Sequence, residues 1–445
     1  MTTLQKVGKT AIADEIAWAA GIGLIFRTLH YRNYRLFFIG NGISLIGTWI
    51  QQIAMSWLVY RLTGSPLLLG VIAFAGLFPG LFLTPLAGVL SDRLNLRHIL
   101  LATQILAMLQ AAVLAFLVIA GAVAVWHIIF LSVLLGLISS FDIPARQTFV
   151  VEVIGKREDL GSAIALNSAL FNGARLVGPS LAGVMIALMG EGMCFLLNAL
   201  SYLAPIATLF LMKIEHVPKA GSNADLVRGL KAGFRYAFGF LPVRSLLLII
   251  ALVSLAGMPY TVLMPVFARD IFHGGPHTFG FLTAASGAGA LIGALYLASR
   301  RTVLGMGRLI PLAAGIFGGG LVLFSLSRTL WLSLFLLLVV GFGMMVQLAL
   351  SNTILQTVVE DDMRGRVMSF FTMSFMGTAP LGSLMAGGLA DWIGAPRTLM
   401  AGGICCILGA LIYARKLPIL RAMVYPVYVK RGIISEPRAM INEQQ

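Results

Sequence analysis

An all-α membrane protein of twelve transmembrane helices, arranged as two pseudo-symmetric six-helix bundles, is the fold class that this sequence predicts. Three observations carry that reading. Of 445 residues, 59% are hydrophobic and 11% charged, with a mean hydropathy of +0.93, a balance that excludes a water-soluble domain. Apolar stretches of about 20 residues, the length that crosses a hydrocarbon core of about 30 Å, follow one another with short polar breaks. Fragments of the first half also recur at matching places in the second.

The elements follow in order. Residues 1–34 form a cytosolic N-terminal segment, whose apolar stretch at 16–26 is too short to span. It follows Asp14 and Glu15 and ends at Arg27 without a small-residue cleavage site, so it reads as a surface helix rather than a signal peptide. The first bundle, 35–213, holds spans at 35–60, 67–90, 98–120, 126–149, 162–189 and 193–212, delimited where Gly, Pro or charge interrupts an apolar run. Residues 214–244 form a cytosolic linker. Pro218, Gly221, Ser222 and Asn223 break the chain there, and 224–240 is a basic amphipathic segment. The second bundle, 245–414, holds spans at 245–268, 278–298, 308–326, 330–356, 367–390 and 397–414, and 415–445 is a cytosolic tail.

Orientation follows from charge. Placing both termini inside puts 27 of the 32 Lys and Arg residues in cytosolic segments, four (Arg61, Arg269, Arg328, Arg397) outside and one, Arg175, within a span. This is the positive-inside pattern. The net charge of +15 is therefore a topology determinant facing an anionic leaflet, and nucleic acid is excluded as a partner. Cys194, Cys405 and Cys406 lie inside apolar runs without disulfide or metal-ligand spacing, and they read as packing residues.

The recurrences support duplication. Gln147-Thr148 before span 5 corresponds to Gln356-Thr357 before span 11, and the stretch Gly178-Pro179-Ser180-Leu181-Ala182-Gly183 to Ala379-Pro380-Leu381-Gly382-Ser383-Leu384. Two six-helix halves related by an axis along the membrane normal belong to rocker-type transporters, with the ligand path between them.

The loop between spans 2 and 3 reads Gly88-Val-Leu-Ser-Asp-Arg-Leu-Asn-Leu-Arg-His98. Asp92, at a helix end, is suited to accept charge-assisted hydrogen bonds from a neighbouring basic side chain, a latch that breaks when the inner side opens. The plainer reading is a solvated basic loop. After glycine, Asn95 is the best residue for a left-handed turn, so such a turn is expected there. In span 5, Ala174-Arg-Leu-Val-Gly-Pro-Ser-Leu-Ala-Gly183 offers small residues for close helix packing, and Pro179 removes an intrahelical bond and bends the span.

The first of these stretches resembles the loop signature of the major facilitator superfamily, G-x-L-a-D-r-x-G-r-[RK], through Gly88, Leu90, Asp92, Arg93 and Arg97; Asn95 and Leu96 depart from it. The second resembles the antiporter signature of that superfamily, with Gly178, Pro179 and Gly183 as its helix-packing motif. Asp142-Ile-Pro-Ala-Arg-Gln-Thr-Phe149, Ala163-Ile-Ala-Leu-Asn-Ser168 and Leu355-Gln-Thr-Val-Val-Glu-Asp-Asp-Met-Arg-Gly-Arg-Val-Met-Ser369 complete a likeness over about residues 26–415. It points to the branch that holds enterobactin-type siderophore exporters and macrolide or multidrug efflux proteins. The resemblance implies the major facilitator fold and export by alternating access. Asp92, Arg93 and Arg97 are then expected to close the inner side against Asp142 and Arg146. In the second half the expected counterparts are Glu360, Arg364 and Arg366, with Arg300 and Arg301.

Candidate substrate-binding residues come from the spans that this family architecture places around the cavity, and from Arg175, a charge within a span that should face protein or water. They are Gln51, Trp49, Arg175, Tyr260 and Gln347, each of which also reads as packing or interhelical glue. A proton gradient as energy source rests on the resemblance. Ser132 stands where many proton-coupled drug antiporters of the superfamily carry an Arg, spans 1, 2 and 5 lack a central Asp or Glu, and Asp142 and Asp270 sit near span ends.

Catalytic constellations are weak. Gly274-Gly275-Pro276 forbids a helix between His273 and His277, and Asp361-Asp362 has no second acidic cluster. No phosphate-binding loop G-x-x-x-x-G-K-[ST] occurs. The sequence therefore reads as a secondary active transporter rather than an enzyme, with no cofactor and no metal. It is expected to be a monomer in the bacterial inner membrane, exporting a small amphipathic compound of siderophore or drug type. A lipid or lysophospholipid flippase of the same fold is the alternative within transport, and a membrane-embedded enzyme at Asp361-Asp362 the alternative outside it.

Overall fold

The structure, a computed structural model, describes residues 28–154, 159–212, 226–300, 304–431 and 433. The expected surface helix at 16–26 and the residues Lys156, Arg157, Lys213, Lys219 and Arg301 lie outside them, as do the side chains of Asp92 and Arg93. Among the described residues the regular structure is entirely helical. Before the linker come α1 (Arg32–Thr63), α2 (Pro66–Arg93), α3 (Leu96–Ile119), α4 (Val125–Ile154), α5 (Leu160–Ser201) and α6 (Leu203–Leu211). The linker contributes α7 (Leu226–Gly239), on the expected amphipathic segment. After it come α8 (Leu241–Leu252), α9 (Tyr260–Val266), α10 (Pro276–Ala298), α11 (Met306–Leu326), α12 (Leu330–Val358), α13 (Asp361–Thr372), α14 (Ala379–Ile393) and α15 (Ala395–Lys430).

Twelve crossings are made from these helices. Ten runs are long and apolar enough to span. One of them, Leu160–Leu211, contains two crossings, because Gly190 at φ 79°, ψ 171° breaks the helical path in a region open only to glycine. The run 361–393, made of α13, a π-helical segment Met373–Gly377 and α14, is the twelfth. Span 7 is likewise composite: α8 and α9 are joined by the π segment Val253–Gly257 and followed by another, Phe267–Ile271.

Two local expectations are corrected. Asn95 is not left-handed. It is extended (φ −68°, ψ 110°) and its side-chain oxygen accepts from the Arg97 N–H at 3.0 Å, so it is the N-cap of α3. The helix that holds the last span does not stop at 414 either. α15 continues helical through Pro418 and Pro426 to Lys430, burying Leu420 and Val424. At about 1.5 Å per residue it is far longer than the bilayer core.

By contact the chain divides into two compact units, residues 1–54 with 82–221 and residues 55–81 with 222–445. The outer ends of α1 and α2 thus pack with the second set of helices. In the first unit small residues bring backbones together: Gly40 of α1 lies against Pro205 and Thr208 of α6, and Gly47 against Asn198 and Ser201 of α5. Tyr34, Phe37, Leu100 and Phe149 fill one apolar core there. In the second unit Gly289 of α10 meets Leu338 of α12, Gly341 of α12 meets Ser286 of α10, and Gly318 of α11 meets Gly403 of α15. Small residues at such crossings are how apolar helices associate without a hydrophobic driving force.

Glycines of α5 and α14 also pack closely. In the first unit Gly178 of α5 packs on Trp49 of α1. In the second, Gly382 of α14 packs on Leu255 in span 7. Trp126, Trp331 and Trp392 are 65%, 83% and 84% exposed. All three sit at span ends that the charge count places outside, where an aromatic belt belongs.

Candidate functional site

Four side chains meet around Asp142 in the first unit. Asp142 and Arg146 share one face of α4, one turn apart, and α3 brings Thr103 and Gln104 to the same carboxylate. One oxygen accepts from Thr103 Oγ1 at 2.8 Å and Gln104 Nε2 at 2.7 Å; the other accepts from Arg146 Nη2 at 2.6 Å and Nε at 3.0 Å. With the Asp142 side chain 13% exposed and that of Arg146 25%, the pair is partly desolvated, and charge-assisted bonds there are stronger than surface ion pairs. Gln104 and Arg146 also line a small cleft with Phe37, Asn41, Pro205 and Thr208, and the Gln104 carbonyl oxygen has no partner.

Arg97 does not join this cluster; its guanidinium donates to the Phe210 carbonyl at 3.3 Å, fastening the start of α3 to α6. The side chains of Asp92 and Arg93 lie outside the described residues.

Gln51 lies elsewhere in the first unit. It is 2% exposed, donates to Gln110 Oε1 at 3.1 Å and accepts from Asn198 Nδ2 at 2.7 Å. Gln110 in turn donates to the Leu131 carbonyl, and Ser201 donates to Asn198 Oδ1. This buried amide chain ties α1, α3, α4 and α5 together. Trp49 is half-buried with its ring edge-on to Phe171 at 6.0 Å, and Arg175 is half-buried one turn before Gly178-Pro179. Pro179 and Gly183 are buried within α5, which stays helical through Pro179.

In the second unit the outer end of α1 is held on span 7 and α10. Tyr60, 3% exposed, donates its phenol to the Asp270 carboxylate. Arg269 donates to the Tyr60 carbonyl at 3.2 Å and sits over its ring at 5.8 Å. Trp57 stacks on Phe279 with centroids 6.3 Å apart. A Cβ on Gly70 of α2 would meet the Ser383 carbonyl of α14 at 2.5 Å, and Ser65 donates to Asp391 at 3.3 Å. Arg269 and Asp270 fall in the π segment Phe267–Ile271, a rare geometry that concentrates at functional positions. Sequence reading placed Asp270 near a span end but gave no signal for Tyr60, whose type and spacing fit an ordinary core residue.

Tyr260 and Gln347 are 1% exposed. Tyr260 bonds Ser286 of α10 through its hydroxyl and packs edge-on to Phe317. The Gln347 amide nitrogen has no hydrogen-bond partner. On the other face of the second unit Asp361 pairs with Arg364 and, at 3.3 Å, with Arg431, which also donates to the Val359 carbonyl at 2.7 Å. The Glu360 N–H reaches the Tyr236 hydroxyl at 3.5 Å. Burial, with the charge of Glu360, pushes that hydroxyl's pKa up against the pull of its backbone bond and Arg431. Arg366 lies exposed beside Met363 and Gly233. Arg300 bonds Tyr296 on its own helix at 2.6 Å, not Glu360. Among the described residues the ion pairs of this region thus gather on Asp361, with Arg364 and Arg431.

A sequence model of a family described as transmembrane secretion effectors matches residues 25–426. Among curated proteins, the chain is 27% identical to the staphyloferrin A transporter of Staphylococcus aureus, over 85% of this chain and 95% of that one. It is 29% identical to the multidrug efflux pump Tap of Mycolicibacterium fortuitum, over 86% and 93%. Among solved structures, a bacterial homologue of the iron transporter ferroportin in an inward-facing state aligns with a TM-score of 0.67. That alignment covers 87% of this chain and 98% of that one at 17% identity, a likeness of fold.

Proposed function

We infer the function from descent and site together: the chain belongs to the transmembrane secretion effector family, within the major facilitator superfamily, and it is a multi-pass secondary transporter that exports a small amphipathic compound. The observation that carries this reading is the family match across nearly the whole chain, joined by relatives named as a siderophore transporter and a multidrug pump. The exported compound is accordingly of siderophore or drug type. The chain works as a monomer in the bacterial inner membrane with both termini in the cytoplasm, a topology supported by the charge asymmetry.

Export proceeds by alternating access. Tyr60, Arg269 and Asp270 hold the outer ends of α1 and span 7 together in the outward-closed state. Asp92 and Arg93, with Asp142 and Arg146, latch the inner side, Arg97 fastens the start of α3 to α6, and Asp361, Arg364, Glu360 and Arg366 form the second-half counterpart. Trp49, Arg175, Tyr260 and Gln347 contribute to the substrate path. Gln51, Gln110 and Asn198 keep the first bundle rigid. The proton gradient supplies the energy.

Everted membrane vesicles containing the chain test this, with ethidium, a catecholate siderophore and a lysophospholipid in separate arms. Uptake of ethidium or siderophore that is driven by an imposed pH gradient and abolished by a protonophore is expected. Uptake of lysophospholipid alone would replace export of soluble compounds by lipid flipping. Uptake insensitive to the protonophore would remove proton coupling.

A further inference from the structure

Three π-helical segments occur among the described residues: Val253–Gly257 and Phe267–Ile271 in span 7, and Met373–Gly377 in span 11. Such segments are rare, each inserts an extra residue into a turn, and they gather where a helix must deform in function. Two of the three meet. Ser254, fully buried, donates its hydroxyl to the carbonyl of Phe375.

The sequence explains why that carbonyl needs an outside donor. In a π turn Phe375 would be served by the amide five residues on, and that residue is Pro380, which has no N–H. Span 7 is also interrupted by a proline, at a different spacing. Pro259 stands four residues after Leu255, so the Leu255 carbonyl has no α-helical donor, and it lies against Gly382 of α14 where any Cβ would collide. Thr378 bonds the Ser374 carbonyl at 2.8 Å and approaches the Ala251 carbonyl of span 7 at 3.4 Å. Glycines enclose the joint: Gly402 of α15 lies against the Ala256 carbonyl, and Gly257 against Phe317 and Cys406. Each span is thus interrupted where it touches the other, and the Ser254 hydroxyl bridges one interruption to the other.

We propose that Ser254 is a positioning residue for transport: its hydroxyl joins the two bulges into a single hinge, so that spans 7 and 11 bend together as the carrier changes state. The inference rests on the transporter reading. Ser254 acts through the Phe375 carbonyl and touches no substrate. Uncoupling the bulges therefore slows the conformational step and leaves ligand affinity alone.

The test compares wild type, Ser254→Ala, Ser254→Thr, Pro380→Ala and the double variant Ser254→Ala with Pro380→Ala. Ethidium transport is measured in vesicles, and backbone hydrogen exchange in the purified full chain in lipid nanodiscs. Ser254→Ala should lower maximal ethidium flux about three- to tenfold, the range of one buried interhelical hydrogen bond, with KM within about twofold. Exchange should rise in peptides covering both 251–259 and 374–383. Ser254→Thr keeps the hydroxyl and should restore flux. Pro380→Ala returns an amide donor to the turn, so in that background Ser254→Ala should cost markedly less flux. A flux in Ser254→Ala equal to wild type, a raised KM at unchanged flux, or faster exchange in only one of the two segments would overturn the hinge. Absence of ethidium transport by wild type would instead count against the export reading, and the paired rise in exchange would still decide the hinge.

Discussion

Replacing Tyr60 by Phe isolates one oxygen atom at the outer end of α1. The ring stays, and with it the guanidinium of Arg269 overhead and the bond from Arg269 to the Tyr60 carbonyl. What is lost is the bond from the buried phenol to the Asp270 carboxylate. A hydrogen bond to a charged group contributes about 1.5–3 kcal/mol when buried, and bonds between membrane helices average about 0.6 and reach about 1.7. Asp270 itself is exposed, so about 1 kcal/mol is the appropriate figure, equivalent to a fivefold change in the ratio of outward-closed to outward-open carrier. The assay is labelling by a membrane-impermeant maleimide at Ser383→Cys, a near-isosteric change at a side chain 5% exposed beside Gly70, with the exposed Cys405 replaced by Ser. Labelling in intact cells should be about fivefold faster when Tyr60→Phe is added, with the melting midpoint in detergent little changed. Equal labelling rates would refute the idea that this bond holds the outer side shut.

Gln51→Ala should destabilise the protein by about 1–3 kcal/mol, because Gln110 and Asn198 each lose a buried partner. A fall in melting midpoint with KM for ethidium unchanged is expected, whereas a raised KM at wild-type stability would return Gln51 to the substrate path. Asp142→Asn leaves Arg146 partly buried without its anion and should reduce ethidium flux at least tenfold with expression retained. Wild-type flux would exclude Asp142 from the inner latch. Asp92→Asn should weaken the inner latch and depress export in vesicles with expression retained, and unchanged flux would sink that assignment.

The features legible in the sequence are those written as composition and periodicity. Apolar length fixes the crossings because a backbone in lipid must satisfy its own hydrogen bonds, and the amphipathic segment before span 7 appears as α7 for the same kind of reason. Ends were harder to read. Arg415 and Lys416 mark where the last span leaves the core, yet nothing stops the helix there, since proline in a helix interior is tolerated when neighbours take up the freed carbonyl. Asn95 was assigned by its tolerance of left-handed geometry, while its side-chain oxygen made the N-cap the better use. The candidate site is written least clearly. Gln51 and Gln347 stand out as amides in apolar helices, but a single sequence does not say whether an amide faces a ligand or another amide, and the pairing of Gln51 with Gln110 and Asn198 joins residues 59 and 147 positions apart. Tyr60 and Asp270, 210 residues apart, pose the same difficulty.

The buried polar groups of the two halves differ in kind. Where Gly178 sits on Trp49 in the first unit, the neighbouring polar side chains bond one another: Gln51, Gln110, Asn198 and Ser201 form a closed set spread over several helices. Where Gly382 sits on Leu255 in the second, hydroxyls bond backbone carbonyls: Ser254 that of Phe375, and Thr378 that of Ser374 with Ala251 at 3.4 Å. Bonds of the first kind hold regular helices in register and resist sliding. Those of the second kind hold helices whose regular path is already interrupted, and Thr378 lies within reach of both the Ser374 and Ala251 carbonyls. Among the described residues the π segments all fall in the second half. The second half is therefore expected to deform more readily than the first. Slow backbone exchange in α1, α3 and α5, with faster exchange confined to spans 7 and 11, is the pattern this asymmetry requires, and uniform exchange across both halves would contradict it.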